Sequence, residues 1–138
     1  MQELEEENDT ILYNPREDDN LTTMVCFHNR YILGDKQTKY KQQDYDSWSA
    51  LKNDIVAKEH PILIKPIYMY DHSGITIATT PFSCSWDSGQ IGWVYITKHT
   101  VSNLGVVLEN KEDWKHYINR LDAYLESEIK EYDKYLVG

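Results

Sequence analysis

Residues 66–97 read PIYMYDHSGITIATTPFSCSWDSGQIGWVYIT, and this stretch decides the fold. Alternating β-branched and aromatic residues, typical of strands, are separated by two polar clusters at residues 71–74 and 87–90. Gly74 in the first cluster is free to adopt a positive φ, which suits a tight hairpin. The stretch therefore predicts two successive β-hairpins, with a short strand at residues 82–86 between their turns.

Further strands are predicted on the N-terminal side of this stretch. Residues 22–31 are rich in β-branched and aromatic side chains, and so are residues 62–70. Pro66 lacks an N–H group, which places its strand at a sheet edge or beside a bulge. In the last strand of the opening stretch, alternation predicts that Ile91 and Trp93 share one face.

Two helices are predicted from apolar spacings of three and four residues. The first is capped by Asp46 or Ser47 and ends near Glu59. The second is capped by Asn110, spans about 26 residues and ends at Gly138. Its predicted apolar stripe is Trp114, Ile118, Leu121, Leu125, Ile129, Tyr132 and Leu136.

Together these elements predict an α+β fold. We expect an antiparallel sheet of about five strands, with the long C-terminal helix and the shorter helix packed on one of its faces. Residues 1–12 are predicted to be an acidic, partly disordered segment, and residues 13–138 a single domain.

The charge distribution bears on the class of partner. The net charge is −9, and residues 1–20 supply −7 of it, with Glu3, Glu5, Glu6 and Glu7 at the start. Binding to duplex nucleic acid is disfavoured, because phosphate neutralisation requires a basic stripe. The acidic block would instead suit a basic partner, or it is a solvated tail. The sequence shows no transmembrane span or secretory signal, so a reducing cytosol is the expected compartment.

Two cysteines and two histidines raise the question of a zinc site, since thiols and imidazoles are its usual ligands. They are Cys26, His28, His72 and Cys84. The spacings that make zinc predictions strong, C-x₂-C and H-x₃-H, are absent. We therefore predict no metal and no cofactor.

Nucleophilic catalysis is the second chemistry that these residue types allow. Cys84 or Ser83 as nucleophile, His72 as base and Asp71 or Asp87 as orienting group would form such a set. The G-x-S-x-G elbow is missing, and acidic and hydroxyl residues are also what hairpin turns ordinarily use.

A polar and aromatic recognition surface is the third interpretation. Arginine and tryptophan among hydrogen-bonding groups are typical of ligand pockets and protein interfaces. The predicted binding residues are Arg30, Asp71, His72, Ser73, Cys84, Trp86, Asp87 and Gln90. Thr76, Thr79, Thr80 and Trp93 belong either to this surface or to packing under the long helix.

Two long motifs carry a family resemblance. MVCFHNRYILGD at residues 24–35 and YDHSGITIATTPFSCSWDSGQIG at residues 70–92 resemble a family of small, uncharacterised proteins encoded by bacteriophages and mobile elements. The ending EYDKYLVG at residues 131–138 is similar to that family as well. The resemblance implies a phage-type accessory protein in the cytoplasm of a bacterial host, and no catalytic residues follow from it.

The predicted function is therefore binding without catalysis. We expect an anti-defence protein, of the anti-CRISPR kind, that binds and inhibits a host protein or ribonucleoprotein complex. The alternative is a small enzyme or ligand-sequestering protein that uses a polar pocket at His72 and Cys84.

Overall fold

A computed structural model describes residues 13–36, 38–84, 86–106 and 109–138. It is an α+β fold with a four-stranded antiparallel sheet, which confirms the predicted class and corrects the strand number from five to four. The strands are β1 (Thr23–Cys26), β2 (Pro61–Asp71), β3 (Ile75–Ala78) and β4 (Ser88–Thr97). Their order across the sheet is β1-β4-β2-β3.

The chain between β3 and β4 accounts for the missing strand. Residues 82–84 and 86, which we predicted to be a strand, lie outside the sheet, and β4 pairs with the edge of β2 opposite to β3. The predicted second turn is also wrong, because Ser88 is already in β4 and pairs with Tyr70. Pairing with β2 satisfies the backbone groups of this polar segment, so extended structure prevails over its turn propensity.

β1 is shorter than the predicted strand at residues 22–31. His28 Nδ1 accepts hydrogen bonds from the backbone N–H groups of Arg30 and Tyr31, at 3.1 and 3.3 Å. This local pairing diverts the chain from the sheet after Cys26. The first hairpin turn agrees with the prediction, with Gly74 at a φ of +151° between β2 and β3.

A β-bulge in β4 changes which face its side chains occupy. Ile67 pairs with Gly92 and Tyr68 with Gln90, so Ile91 is the extra residue. Ile91 consequently packs on the opposite face from Trp93, and the prediction that they share a face is wrong.

The described residues also form three α-helices: α1 (Trp48–Glu59), α2 (Lys98–Asn103) and α3 (Lys111–Val137). Ser47 Oγ accepts from the Ala50 N–H at 3.0 Å, and Asn110 Oδ1 accepts from the Asp113 N–H at 3.0 Å. Both caps were predicted and are confirmed. The predicted apolar stripe of α3 began at Trp114, but this residue is exposed. Tyr117, which was not in the predicted stripe, is buried.

The long and the short helix cover opposite faces of the sheet, which corrects the prediction that they share one. Leu121, Leu125 and Ile129 of α3 pack on one face, whereas Leu51 and Ile55 of α1 pack on the other. Helices pack on both faces of the sheet because residues 91–96 of β4, whose side chains point to both faces, are all buried. No helix among the described residues is long and apolar enough to cross a membrane.

A buried arginine ties the N-terminal part of the described chain to β1 and α3. Arg16 donates to both carboxylate oxygens of Asp35, at 2.8 and 3.2 Å, and to Thr22 Oγ1 at 2.9 Å. Glu128 of α3 accepts from the backbone N–H of Leu21 at 2.9 Å and also contacts Arg16. We call Arg16, Thr22, Asp35 and Glu128 the Arg16 cluster.

Candidate functional site

A polar cleft of about 310 Å³ lies where the segment after β1 meets the end of β2 and the start of β4. Its position follows from the strand order, because β4 runs between β1 and β2 and its first residues pair with the last residues of β2. The lining residues are His28, Arg30, Met69, Asp71, Trp86, Asp87, Ser88, Gly89, Gln90 and Ile91.

One wall of the cleft is an ion pair at the end of β2. Arg30 Nη2 donates to Asp71 Oδ2 at 2.6 Å, and the Tyr31 hydroxyl donates to the same oxygen at 3.2 Å. The Arg30 guanidinium also lies over the Tyr31 ring, 5.3 Å from its centre. These contacts fix the position of a largely exposed arginine. Its guanidinium can therefore donate hydrogen bonds to a bound molecule.

The adjoining part of the lining is built around Asp87. Its backbone carbonyl accepts from the Asp71 N–H at 2.8 Å, which fixes the loop before β4 to the end of β2. Its carboxylate lies 3.2 Å from Nδ1 of the exposed His72. The two aspartates are therefore held side by side by the backbone, while each carboxylate has its own cationic or imidazole partner.

His28 contributes an oriented imidazole to the cleft. Its Nδ1 is occupied by the two backbone N–H groups described above, so Nδ1 is an acceptor. In the neutral ring the proton is then on Nε2, which is left to act as a donor. Sequence reasoning considered His28 only as a metal ligand.

Trp86 stands at the rim with 94% of its surface exposed. Solvent exposure of a whole indole ring has no structural benefit, and tryptophan is the residue most enriched at binding hot spots. Ile32, in the segment after β1, is similarly exposed at 89%. Large apolar groups thus project from the cleft side of the molecule.

Of the predicted binding residues, the structure brings Arg30, Asp71, Trp86, Asp87 and Gln90 together in the lining, with His72 at its edge. Cys84 and Ser73 are not in the lining. The Cys84 carbonyl accepts from the Ser88 hydroxyl, and Ser73 lies at the exposed tip of the β2–β3 turn with a φ of +63°.

Several other predicted residues hold the fold together. Thr76 Oγ1 donates to Asp133 at 2.7 Å and Thr79 Oγ1 to Glu126 at 2.6 Å, so both bind α3. The buried Trp93 donates from Nε1 to the Trp48 carbonyl at 2.9 Å. Exposed Thr80 lies just past β3. These residues support packing under the helices rather than the cleft.

The four residues of the zinc hypothesis are not assembled into a site. Across residues 13–36, 38–84, 86–106 and 109–138, no group of three or more His, Cys, Asp or Glu side chains is placed to hold a metal ion. Cys26 packs against the core under α3, and burial, with a smaller contribution from Asp35, raises its pKa to about 12. A thiol that stays protonated is a poor zinc ligand.

The catalytic set is not assembled either. Among the described hydrogen bonds, the partner of the His72 ring is Asp87, and none joins His72 to Cys84 or Ser83. The nearest hydroxyl in the cleft, that of Ser88, donates to the Cys84 carbonyl. A nucleophile hydrogen-bonded to a base, which covalent catalysis requires, is therefore missing from the described contacts.

Missing from the sequence-based list were His28, Met69, Ser88, Gly89 and Ile91. The pairing of β4 with β2 brings the last four of these to the cleft, the pairing of β1 with β4 brings His28, and no local pattern predicts either pairing. The acidic residues Glu3, Glu5, Glu6 and Glu7 lie outside the described residues.

Comparison with known proteins finds no matching family, no similar curated protein and no similar solved structure. The resemblance to a phage-encoded family therefore stays a prediction, and the cleft is interpreted from its own chemistry.

Proposed function

We propose that this protein is a non-enzymatic, phage-type accessory protein that binds and inhibits a host bacterial protein through the cleft. The observation that carries the proposal is the exposed Trp86 beside Arg30. Tryptophan and arginine are among the residues most enriched at interaction hot spots. The exposed Ile32 on the same side enlarges the apolar contact.

The internal contacts of the cleft favour recognition over catalysis. Asp71 is held by Arg30 and Tyr31, and Asp87 faces His72. Such pairs orient charged groups for a partner without side-chain rearrangement, which lowers the entropic cost of association. Among the described contacts, no nucleophilic side chain is hydrogen-bonded to the His72–Asp87 pair, and covalent catalysis would need one.

The acidic charge supports a host nucleic-acid-targeting complex as the partner. A net charge of −9, of which residues 1–20 supply −7, with Glu3, Glu5, Glu6 and Glu7 among them, complements the basic groove with which such a complex holds nucleic acid. Binding there would block the complex without contact between this protein and a duplex. A bacterial cytoplasm would be the site of action.

The experiment is a comparative capture from bacterial lysate followed by a functional assay. Wild type, Trp86→Ala and Arg30→Ala are immobilised, with Tyr124→Ala as the matched control, since Tyr124 is a 56% exposed aromatic residue on α3. We expect one host protein to be retained by wild type and by the control, and at least tenfold less of it by the cleft variants. Equal capture by all four proteins would refute the proposed surface.

The functional arm asks whether the captured protein is inhibited. Bacteria that carry a nucleic-acid-targeting defence are infected with a sensitive phage, with and without expression of this chain. Increased plaque formation with wild type, lost with Trp86→Ala and kept with Tyr124→Ala, is the expected result. No increase with wild type across the defence types tested would contradict the inhibitory role.

A small polar ligand held in the cleft is the second candidate. A volume of about 310 Å³ is at the lower end of known ligand sites, and the lining is rich in hydrogen-bonding groups. Native mass spectrometry of protein purified from bacteria would show a retained ligand. Loss of the added mass in Gln90→Ala would place that ligand in the cleft.

A further inference from the structure

A second cavity, of about 250 Å³, lies on the α1 side of the sheet. It is formed where the chain leaving β1 passes the start of α1. Half of its lining residues are aromatic, and all three of these rings are half-buried rather than enclosed in the core. The lining residues are Phe27, Gln42, Tyr45, Asp46, Ser47 and Trp48.

The planes of the three rings are nearly parallel. The Phe27 ring is 6.4 Å from that of Tyr45 and 5.8 Å from that of Trp48, measured between centres. The corresponding interplanar angles are only 18° and 20°. We call Phe27, Tyr45 and Trp48 the aromatic platform. Its near-parallel faces suit a planar group, whereas a quaternary ammonium is bound by rings that surround it.

The charges at the platform select a cation. Asp46 lines the same cavity, and the Tyr45 hydroxyl donates to Asp54 Oδ2 at 2.5 Å. Donation to a carboxylate makes the tyrosine ring richer in electrons, which strengthens its attraction for a cation. A nucleobase would also stack on flat rings, but its phosphate would be repelled by Asp46.

The lysines near α1 are engaged elsewhere. Lys58 pairs with Asp54 at 3.0 Å, Lys39 pairs with Glu59 at 3.0 Å, and Lys52 lies over the Trp93 ring at 5.2 Å from its centre. Among the cation–ring contacts of the described residues, none involves the aromatic platform. No arginine or lysine among the described residues therefore covers the exposed side of these half-buried rings.

The platform cavity and the cleft have a common neighbour. A third cavity, of about 310 Å³, shares Phe27 and Gln42 with the platform cavity and shares His28 with the cleft. All three cavities are thus lined in part by residues 26–33. A partner that covers the cleft and this third cavity would reach the platform.

We infer that the platform binds an arginine side chain of the partner protein, with the guanidinium stacked on Phe27, Tyr45 and Trp48 and its charge facing Asp46. The inference rests on the proposed function in taking the partner to be a protein. Arginine fits because its guanidinium is planar, always charged and weakly hydrated. A lysine ammonium is not planar, and because it is strongly hydrated, removing its water costs more free energy.

The first test measures the platform by itself. ¹⁵N-labelled full-length protein is titrated with N-acetyl-arginine amide, and the indole N–H signals of Trp48 and Trp86 are followed by NMR. We expect saturable shifts at Trp48 and at the backbone of residues 42–48, with no comparable shift at Trp86. N-acetyl-citrulline amide, which has the same shape without the charge, is expected to bind at least fivefold more weakly.

Two variants and one competing cation make this test decisive. Asp46→Asn leaves the rings in place and is expected to weaken arginine binding about threefold. Trp48→Leu keeps an apolar side chain on α1 and is expected to weaken it about fivefold, with the fold checked by circular dichroism. Equal affinity for citrulline, or tighter binding of tetramethylammonium than of arginine, would overturn the inference.

The second test separates this inference from the proposed function. The partner captured through the cleft is titrated against wild type, Asp46→Asn and Trp48→Leu. A loss of affinity of threefold or more in both variants supports the arginine contact. Unchanged affinity in both, with capture still dependent on Trp86, would overturn the inference and leave the proposed function standing. Arginine binding at the platform without any captured partner would overturn the proposed function and leave the cation-binding property of the platform standing.

Discussion

Two arginine–aspartate pairs, one in the Arg16 cluster and one in the cleft, have similar distances and differ in how deeply the arginine is buried. Arg16 lies 2.8 Å from Asp35 with 1% of its side chain exposed, and Arg30 lies 2.6 Å from Asp71 with 69% exposed. The two aspartate side chains are alike, at 22% and 18% exposed, so they do not separate the pairs. The arginines do, because water cannot take the place of an enclosed guanidinium, whereas it hydrates the carboxylate that an exposed guanidinium leaves behind.

The remaining contacts follow the same division. Arg16 also donates to the hydroxyl and the carbonyl of Thr22 and contacts Glu128, so its hydrogen-bonding capacity is used inside the protein. Arg30 has one carboxylate partner and one ring partner. From this difference we infer that the Arg16–Asp35 pair attaches the N-terminal part of the described chain to α3. The Arg30–Asp71 pair leaves guanidinium N–H groups available to a bound molecule.

The largest effect is expected from Arg16→Ala. The substitution leaves Asp35 and Glu128 without their buried cation, which costs about 3 kcal/mol in the free energy of unfolding. Urea denaturation followed by circular dichroism measures this. Glu17→Ala is the control, because Glu17 and Lys36 form an exposed pair at 3.1 Å, and a change below about 0.5 kcal/mol is expected. Equal losses in both variants would remove the distinction by burial.

The sequence predicted the helices better than the sheet. Ser47 and Asn110 are local signals, and the apolar repeat of α3 is visible without any knowledge of its neighbours. The position of β4 between β1 and β2 depends on pairings between residues far apart in the chain, such as Tyr70 with Ser88. Local propensity carries no information on such pairings, so a meander with five strands was expected.

The candidate site, like the sheet, could be predicted from the sequence only in part. Asp71, Asp87 and Trp86 were singled out by residue type, and the structure places them at one cleft. Cys84 was singled out on the same grounds but lies outside the lining. Residue type indicates which side chains are able to bind or react, and strand register decides which of them meet.

The second-largest effect is a pH dependence at Cys26, which packs beside the Arg16 cluster. Burial raises the pKa of this thiol from 9.0 to about 12, with Asp35 adding to the shift. Above pH 9 the unfolded chain releases the proton while the folded protein retains it, so stability falls as the pH rises. At pH 10 this loss amounts to about 1.4 kcal/mol for one thiol.

Cys26→Ala removes that loss. We expect the difference in unfolding free energy between wild type and Cys26→Ala to shrink by about 1.4 kcal/mol from pH 7 to pH 10, measured by urea denaturation at both pH values. The value at pH 7 is the control for lost packing. A difference that does not change with pH would mean that the thiol beside the Arg16 cluster is hydrated.

An intermediate case lies between the two extremes of burial. Lys65 on β2 donates to Asp122 and Glu126 of α3, at 2.7 and 2.6 Å, with 27% of its side chain exposed. Lys65→Met keeps the apolar stem and removes the charge, and we expect a loss of about 1 kcal/mol in urea denaturation. The control is Lys58→Met, whose single partner Asp54 lies on the same helix. A loss as large as that in Arg16→Ala would show that half-exposed pairs behave as buried ones.

The smallest effect on stability is expected from Arg30→Ala, which tests the other side of the comparison. The Asp71 side chain is 18% exposed and keeps the Tyr31 hydroxyl as a donor, and removal of the exposed Arg30 side chain opens its carboxylate to water. We expect the free energy of unfolding to change by less than about 0.5 kcal/mol in urea denaturation. Partner capture by the same variant should fall at least tenfold. A stability loss above about 1.5 kcal/mol would instead place Arg30 with Arg16 as a structural residue, because only a pair that is shielded from water in solution costs that much to break.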